Sequence, residues 1–97
     1  MIDPATTSIV LSDRVLLRPV EDTGVMLDLQ TERYIGLDEV ALQMVQTAQS
    51  CPDLAAAVSE LGKIYDADVG EIESDLLELM TDLRDRGLVE LVTNQQD

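Results

Sequence analysis

The stretch that decides the fold is residues 14–38, RVLLRPVEDTGVMLDLQTERYIGLD. It holds three short apolar runs, at 14–20, 24–29 and 33–37, which are separated by polar links of three residues. Links of this length are short enough to be hairpin loops, and Gly24 is expected to supply backbone freedom at the first corner. The stretch therefore predicts an antiparallel meander of three strands, with 24–29 in the middle.

The chain after residue 38 has a different pattern, because its apolar residues recur at helical spacing. Asp38 can cap a first helix, and the break at 50–53 precedes a second one. Asp68 and Glu71 form a capping-box-like pair at the start of a third helix, which Gly87 ends. The order of three strands followed by three helices predicts an α+β fold.

The two ends of the chain are harder to assign from the pattern. Residues 8–11 are expected to be extended, and 88–92 are expected either to return as a short strand or to pack without pairing. There is no internal repeat and no interdomain linker. We expect a single domain over 8–92, with flexible ends at 1–7 and 93–97.

Composition excludes several classes of function. The chain has 97 residues, a formal net charge of −14, no His and one Cys. A His-activated nucleophile and a structural zinc site are therefore excluded, and nucleic-acid binding is disfavoured by the charge. No apolar run is long enough to span a membrane, and the N-terminus lacks the features of a signal peptide. We expect a small soluble cytoplasmic protein that is not an enzyme and needs no cofactor or metal.

The third predicted strand, 33–37, is a candidate binding edge. In a three-stranded meander the first and third strands are both edges, and the first contains Pro19, which blocks further pairing. The third strand has no such residue, and its Gly36 leaves room for another backbone. An open edge can accept an extended peptide as an added strand. The alternative is that the protein's own helices or tail cover this edge.

The third predicted helix carries a widened apolar face. Steps of 100° per residue place five residues in one core stripe and put Leu77 and Met80 on one shoulder of it. Such a shoulder can form the wall of a groove, although a wide core face in a small protein explains the same pattern. The five stripe residues are Val69, Ile72, Leu76, Leu79 and Leu83.

Two other features have simpler explanations than catalysis or metal binding. Cys51 lacks any His to activate it, so we interpret it as a small residue at a junction between loop and helix. The acidic cluster of Asp66, Asp68 and Glu71 lacks the alternating ligand pattern of a calcium-binding loop. We expect these residues to cap a helix instead.

Several motifs, in this order and spacing, resemble the PqqD family, whose members are also called RiPP recognition elements. They are VMLD at 25–28, TERYIGLD at 31–38, IYD at 64–66, DLLELMTDL at 75–83 and RGLV at 86–89. Departures from the family pattern are Asp38 in place of a common Asn, Glu32 in place of a frequent Gly, and Met-Val at 44–45 in place of a frequent Trp. The resemblance covers about residues 8–91.

The resemblance implies a winged helix-turn-helix-like domain that binds the leader of a ribosomally made precursor peptide. The leader would be added as an antiparallel strand on 33–37 and would enter the cleft beside the third helix. A leader peptidase or another peptide-modifying enzyme would be the partner, with lasso peptide biosynthesis favoured. The alternatives are a chaperone for a radical SAM enzyme and, less favoured because 66–86 is acidic, a winged-helix transcription factor. The expected peptide-binding residues are Arg33, Tyr34, Ile35, Gly36, Leu76, Leu77, Met80, Leu83 and Arg84.

Overall fold

The computed structural model describes residues 2–93, and within them the predicted order of a three-stranded sheet followed by three helices is confirmed. Two further strands flank this unit. In chain order the elements are β1 (Thr7–Leu11), β2 (Val15–Val20), β3 (Thr23–Asp28), β4 (Arg33–Leu37), α1 (Glu39–Ser50), α2 (Leu54–Ile64), α3 (Val69–Asp85) and β5 (Val89–Thr93).

The first and last strands form a small sheet of their own. β1 and β5 pair antiparallel from Thr7↔Thr93 to Leu11↔Val89, so the segment after α3 returns as a strand. This pairing extends one residue beyond the expected domain limits of 8 and 92 at both ends. Within the segment expected to be flexible, 1–7, Thr7 is buried and the carbonyl of Pro4 accepts a hydrogen bond from Ala55 N. Met1 and residues 94–97 lie outside the described residues, and the domain limits remain a prediction.

The main sheet has the order β2-β3-β4, and its two faces differ in burial. Met26, in the middle strand, is fully buried, and its cross-strand neighbours Leu17 and Ile35 pack against the core. The adjacent row lies on the other face, where Leu16 and Tyr34 are exposed. The alternation of a pleated sheet therefore directs one row into the core and the next row to solvent.

The three helices begin at aspartate caps. The side chain of Asp38 accepts a hydrogen bond from Ala41 N at 2.8 Å, and Asp53 accepts one from Ala56 N at 2.7 Å. Asp68 accepts one from Gly70 N at 3.0 Å, but the reciprocal bond expected from Glu71 is not formed within the described residues. The predicted caps at Asp38 and Asp68 are confirmed, and the full capping box is not. No helix within residues 2–93 has the length and apolar character needed to cross a membrane.

The buried stripe of α3 differs from the predicted one. Met80 has no exposed surface and belongs to the core, so its predicted position on a shoulder was wrong. Val69, expected in the stripe, is 58% exposed, and Leu79 is half-buried. α3 packs against both α2 and β5, and at about 100° per residue Met80 lies only about 40° beyond Leu76, so the buried side is wider toward Met80 than the sequence pattern predicts. The buried residues of α3 are Ile72, Leu76, Met80 and Leu83.

Glycine does not have the predicted role at the first corner of the meander. A Cβ on Gly24 would lie 2.7 Å from Leu42 Cδ1, so α1 packs closely on the sheet here and a larger residue would require the Leu42 side chain to shift. The corners instead contain two glutamates with positive φ, Glu21 at 56° and Glu32 at 61°. By contrast Gly87, with φ 76°, ends α3 as predicted: its N–H donates to Arg84 O and the next N–H, of Leu88, donates to Leu83 O.

Candidate functional site

Strand β4 is an edge of the main sheet. It pairs with β3 on one side, and within residues 2–93 no strand pairs with its other side. The self-covered edge considered as an alternative is therefore not found in the described part of the chain. β4 offers a row of backbone groups to a partner.

The hydrogen bonds of the two hairpins show which backbone groups these are. Glu32 N donates to Asp28 O, and Leu29 N donates to Arg14 O, each at 2.8 Å. Asp28 therefore directs its backbone groups toward β4, and Leu29 directs its own toward β2. The direction of the backbone N–H and C=O groups alternates from one residue to the next along an antiparallel strand. Met26 therefore bonds to Ile35, and the backbone groups of the residues on either side of Ile35 point away from β3.

Tyr34 and Gly36 are the two residues of β4 whose N–H and C=O groups face outward. Both residues are exposed, and the Tyr34 side chain is 71% exposed. A Cβ built on Gly36 would meet no atom within 4 Å, so the space around this residue is open. The spacing of two residues matches the repeat of an incoming antiparallel strand.

A cavity of about 430 Å³ lies beside β4, where the sheet faces the turn between α3 and β5. Ile35 is half-buried and contributes apolar surface to it, whereas Leu88 borders it but is only 4% exposed. Arg33 lies at its edge, on the same face of the sheet as Ile35. Tyr34 also borders the cavity, but strand alternation places its ring on the opposite face. The full lining is Arg14, Asp28, Thr31, Arg33, Tyr34, Ile35, Arg86 and Leu88.

Three arginines border this cavity, and they differ in their partners. Arg14 Nε donates to Asp28 Oδ2 at 3.1 Å, and its Nη2 donates to Gly87 O at 3.0 Å. Arg86 forms an exposed ion pair with Asp82, four residues earlier on α3. Arg33 forms no ion pair with any residue between 2 and 93. The cavity thus has a guanidinium group that the described part of the protein does not neutralise.

Asp28 links two of the segments that border the cavity, the start of β2 and the turn between β3 and β4. Its carboxylate accepts hydrogen bonds from Arg14 and from the N–H groups of Gln30 and Thr31. Burial alone would raise the pKa of Asp28, but these hydrogen bonds and the Arg14 charge outweigh it, so the pKa lies below the ordinary value. Asp28 is therefore ionised at neutral pH and fixes the turn that leads into β4.

The predicted site residues on α3 are not brought to this cavity. Leu76, Met80 and Leu83 have no exposed surface, so they cannot touch a ligand unless their neighbours move. Leu77 borders a separate, acidic depression of about 690 Å³ along α3, and Arg84 pairs with Asp85 at 3.3 Å. The expectation that Tyr34, Ile35 and these α3 residues line one pocket is therefore not met by the described structure.

Sequence reasoning missed five residues of the cavity: Arg14, Asp28, Thr31, Arg86 and Leu88. They come from three separated segments, and no spacing in the sequence indicates that they meet. A signal existed for one pair, because Arg14 and Asp28 stand at the outer ends of two strands joined by a hairpin. An acid and a base at such positions are expected to be near each other.

Cys51 is held in an unreactive state. It is a half-buried free thiol at the C-cap of α1. Burial, and then the negative charges of Glu60 and Asp53, raise its pKa above the ordinary thiol value. A raised pKa keeps the sulfur protonated and weakly nucleophilic. This agrees with the interpretation of Cys51 as a residue of a loop–helix junction.

Comparison with known proteins connects this geometry to a family. The model of the family described as Coenzyme PQQ synthesis protein D (PqqD) matches residues 23–89, which include β3, β4 and all three helices. A PqqA binding protein of Xanthomonas oryzae pv. oryzae is 38% identical over 63 residues, which are 65% of this chain and 68% of that protein. A PqqA binding protein of Rhodopseudomonas palustris is 34% identical over 61 residues, 63% of this chain and 60% of that protein.

Two solved structures have a similar fold. TbiB1 in complex with the TbiA(beta) leader peptide superimposes with a TM-score of 0.77 at 28% identity, and the match covers 90% of this chain and 98% of that one. Lasso peptide synthetase B1 complexed with the leader peptide gives a TM-score of 0.78 at 22% identity, covering 86% and 98%. The fold of this chain is thus shared over nearly the full length of both structures.

Proposed function

The chain belongs to the PqqD family of RiPP recognition elements, and we propose that it binds the leader region of a ribosomally made precursor peptide as an added strand on β4. All four relatives and structural neighbours named above carry a leader peptide or PqqA in their descriptions. The observation that carries the proposal is the outward-facing pair of backbone groups on Tyr34 and Gly36, beside an open cavity.

Backbone pairing would supply the register of the bound peptide. Tyr34 and Gly36 offer two N–H and two C=O groups to an antiparallel partner. The bound strand would lie beside Ile35, which is half-buried and gives its inward side chains an apolar surface. Selectivity then depends on which side chains the cavity accepts, because hydrogen bonds to the backbone are the same for every sequence.

The proposed role needs no catalysis by this chain. A disordered leader loses conformational freedom when it binds, so the affinity is expected to be moderate. Holding the leader beside an enzyme raises its effective concentration there and makes a weak encounter nearly intramolecular. The proposed setting is the cytoplasm, where precursor peptides are made.

The partner is proposed to be a leader peptidase or another enzyme that modifies the peptide. Lasso peptide biosynthesis is favoured, because the structure of lasso peptide synthetase B1 complexed with the leader peptide shares this fold over 98% of its length. A chaperone role beside a radical SAM enzyme is the second candidate, and the similarity to PqqA binding proteins favours it. In both settings the same edge of the sheet binds the leader.

A titration with a synthetic leader tests the proposal. The probe is the leader of the precursor peptide encoded nearest to the gene for this chain, labelled for fluorescence anisotropy. We expect a dissociation constant between about 0.1 and 10 µM. Hydrogen exchange of the Tyr34 and Gly36 amides should slow when the peptide is bound.

Two results would overturn this proposal. One is the absence of binding by every leader encoded near the gene. The other is binding that protects amides of β2 or α3 and leaves Tyr34 and Gly36 unchanged, since this would place the peptide elsewhere on the protein.

A further inference from the structure

We propose that the cavity beside β4 binds an acidic side chain of the bound peptide, and that Arg33 is the residue that selects it. This inference rests on the proposed function, because it concerns the peptide that β4 would pair with. It adds a ligand chemistry, a carboxylate, and a position within the peptide.

The charge distribution of the chain supports a carboxylate ligand. Of the six basic residues in a chain with 20 acids, three border this one cavity: Arg14, Arg33 and Arg86. The depression along α3 has the opposite character, since Asp75, Glu78, Asp82 and Asp85 line it. An acidic side chain is therefore attracted to the β4 cavity and repelled by the neighbouring face of α3.

Internal ion pairs do not account for all of this positive charge. Arg14 is held by Asp28 and Gly87, and Arg86 is paired with Asp82. Arg33 is exposed and has no ion-pair partner within residues 2–93, although the acidic residues outnumber the basic ones more than threefold. Of the three, Arg33 is the one whose guanidinium can pair with a ligand without losing an ion pair in the protein.

The strand geometry specifies where the acidic residue lies in the peptide. Arg33 and Ile35 share the inner face of the sheet, and side chains of directly opposed residues lie on the same face. An antiparallel peptide passes Ile35 first and Arg33 two residues later. The bound segment is therefore expected to have an apolar residue opposite Ile35 and an Asp or Glu two positions toward its C-terminus.

The test combines a protein variant with peptide variants, using the synthetic leader described above. We expect Arg33→Gln to weaken binding about tenfold at low salt, as for an ion pair partly removed from water. Arg18→Gln is the matched control, because Arg18 is also exposed and also forms no ion pair with residues 2–93, but it lies on β2, away from β4. It should change the affinity less than about twofold.

Each acidic residue of the leader is then replaced in turn by its amide. One replacement should reproduce the tenfold loss of affinity in the wild-type protein and have little further effect in Arg33→Gln. The reason is that the effects of replacing the two partners of one ion pair do not add. Unfolding curves of both variants confirm that the fold is retained.

The outcomes separate this inference from the proposed function. Leader binding that is equally strong in Arg33→Gln, or that no amide replacement weakens, would overturn the carboxylate site and leave binding at β4 intact. An acid whose replacement still costs about tenfold in Arg33→Gln contacts another residue and would also overturn the role of Arg33. If no leader binds the wild-type protein, the proposed function itself fails and the inference fails with it.

Discussion

Strands β2 and β4 are the two edges of one sheet, and within residues 2–93 β4 keeps more outward-facing N–H groups for another strand than β2 does. On β2, the residues that point away from β3 are Val15, Leu17 and Pro19. Val15 N already donates to Ser12 O at 2.9 Å, and Pro19 has no N–H, so Leu17 alone keeps an outward donor. On β4, both Tyr34 and Gly36 keep theirs. A single proline at an outward position, together with one turn, therefore closes one edge and leaves the other open.

The largest effect is expected when β4 is given a proline at an outward position, as β2 has at Pro19. Gly36→Pro removes an outward N–H without removing a hydrogen bond to β3, so the fold should remain while leader binding weakens at least about 50-fold. Fluorescence anisotropy with the synthetic leader measures the loss, and circular dichroism measures the fold. Gly36→Ala is the control and should bind normally, because a Cβ at this position meets no atom within 4 Å.

Leader binding by Gly36→Pro at wild-type strength would show that the peptide does not pair with β4. Binding lost equally in Gly36→Ala would show that the side-chain space at this position, and not the outward N–H, is what the peptide needs.

A second test uses equivalent positions on the two edges. Leu17 and Ile35 flank Met26 in one cross-strand row, and both are half-buried against the core. Leu17→Asp and Ile35→Asp should therefore lower the melting temperature by similar amounts. Only Ile35→Asp should weaken leader binding, by about tenfold, because only Ile35 lies beside the expected peptide.

If Leu17→Asp weakened leader binding as much as Ile35→Asp at a temperature where both variants remain folded, the result would contradict the proposal that β2 and β4 differ in function. The measurement is a titration below the lower of the two melting temperatures.

The two edges are connected through Asp28, and this connection should depend on pH. Its pKa is lowered in the folded protein, so its stabilising effect is complete above the ordinary value of 3.8 and is lost as pH falls through the folded value. Asp28→Asn should lower the melting temperature by several degrees at pH 7, and this difference should shrink below about pH 4. Thermal unfolding of both proteins from pH 3 to 8 checks it, and a difference that stays constant over this range would contradict it.

The smallest effect is expected from opening the closed edge. Pro19→Val restores an outward N–H beside that of Leu17, so β2 gains the spacing of donors that β4 has. We expect weak self-association, with a dissociation constant on the order of 1 mM, detectable by sedimentation at high protein concentration. The wild-type protein is the control, and equal sedimentation of both proteins would show that Pro19 is not what closes β2.

The meander and the helix starts could be predicted because local chemistry determines them. These features act within a few residues of the chain. Pro19 and the short polar links predicted the edge that is open within residues 2–93, and the aspartate caps predicted the helix starts. The pairing of β1 with β5 depends on contacts between residues more than 75 positions apart, which one sequence does not display. The burial of Met80 could not be predicted for the same reason, because it depends on the elements that α3 packs against.

One element of the candidate site, the edge strand, could be predicted for the same reason, and the binding role of its residues stays a prediction. Arg33, Tyr34, Ile35 and Gly36 were identified because an edge strand is a local feature. The base of the cavity was not identified, since Arg86 and Leu88 reach β4 only after α3 ends at Gly87. Helical periodicity pointed to Leu77 instead, but the packing of α3 turns that residue toward the acidic depression.

The pairing of β1 with β5 has a practical consequence for engineering. Thr7 and Thr93 are directly opposed, so the two ends of the paired region are only about 5 Å apart. A unit with adjacent ends can be inserted into a surface loop of another protein, or circularly permuted, without stretching either chain. Because β1 and β5 belong to a different sheet from β4, both junctions leave the open edge unaltered. The domain is thus suited to insertion into a chosen host enzyme, to which it would bring its own ligand.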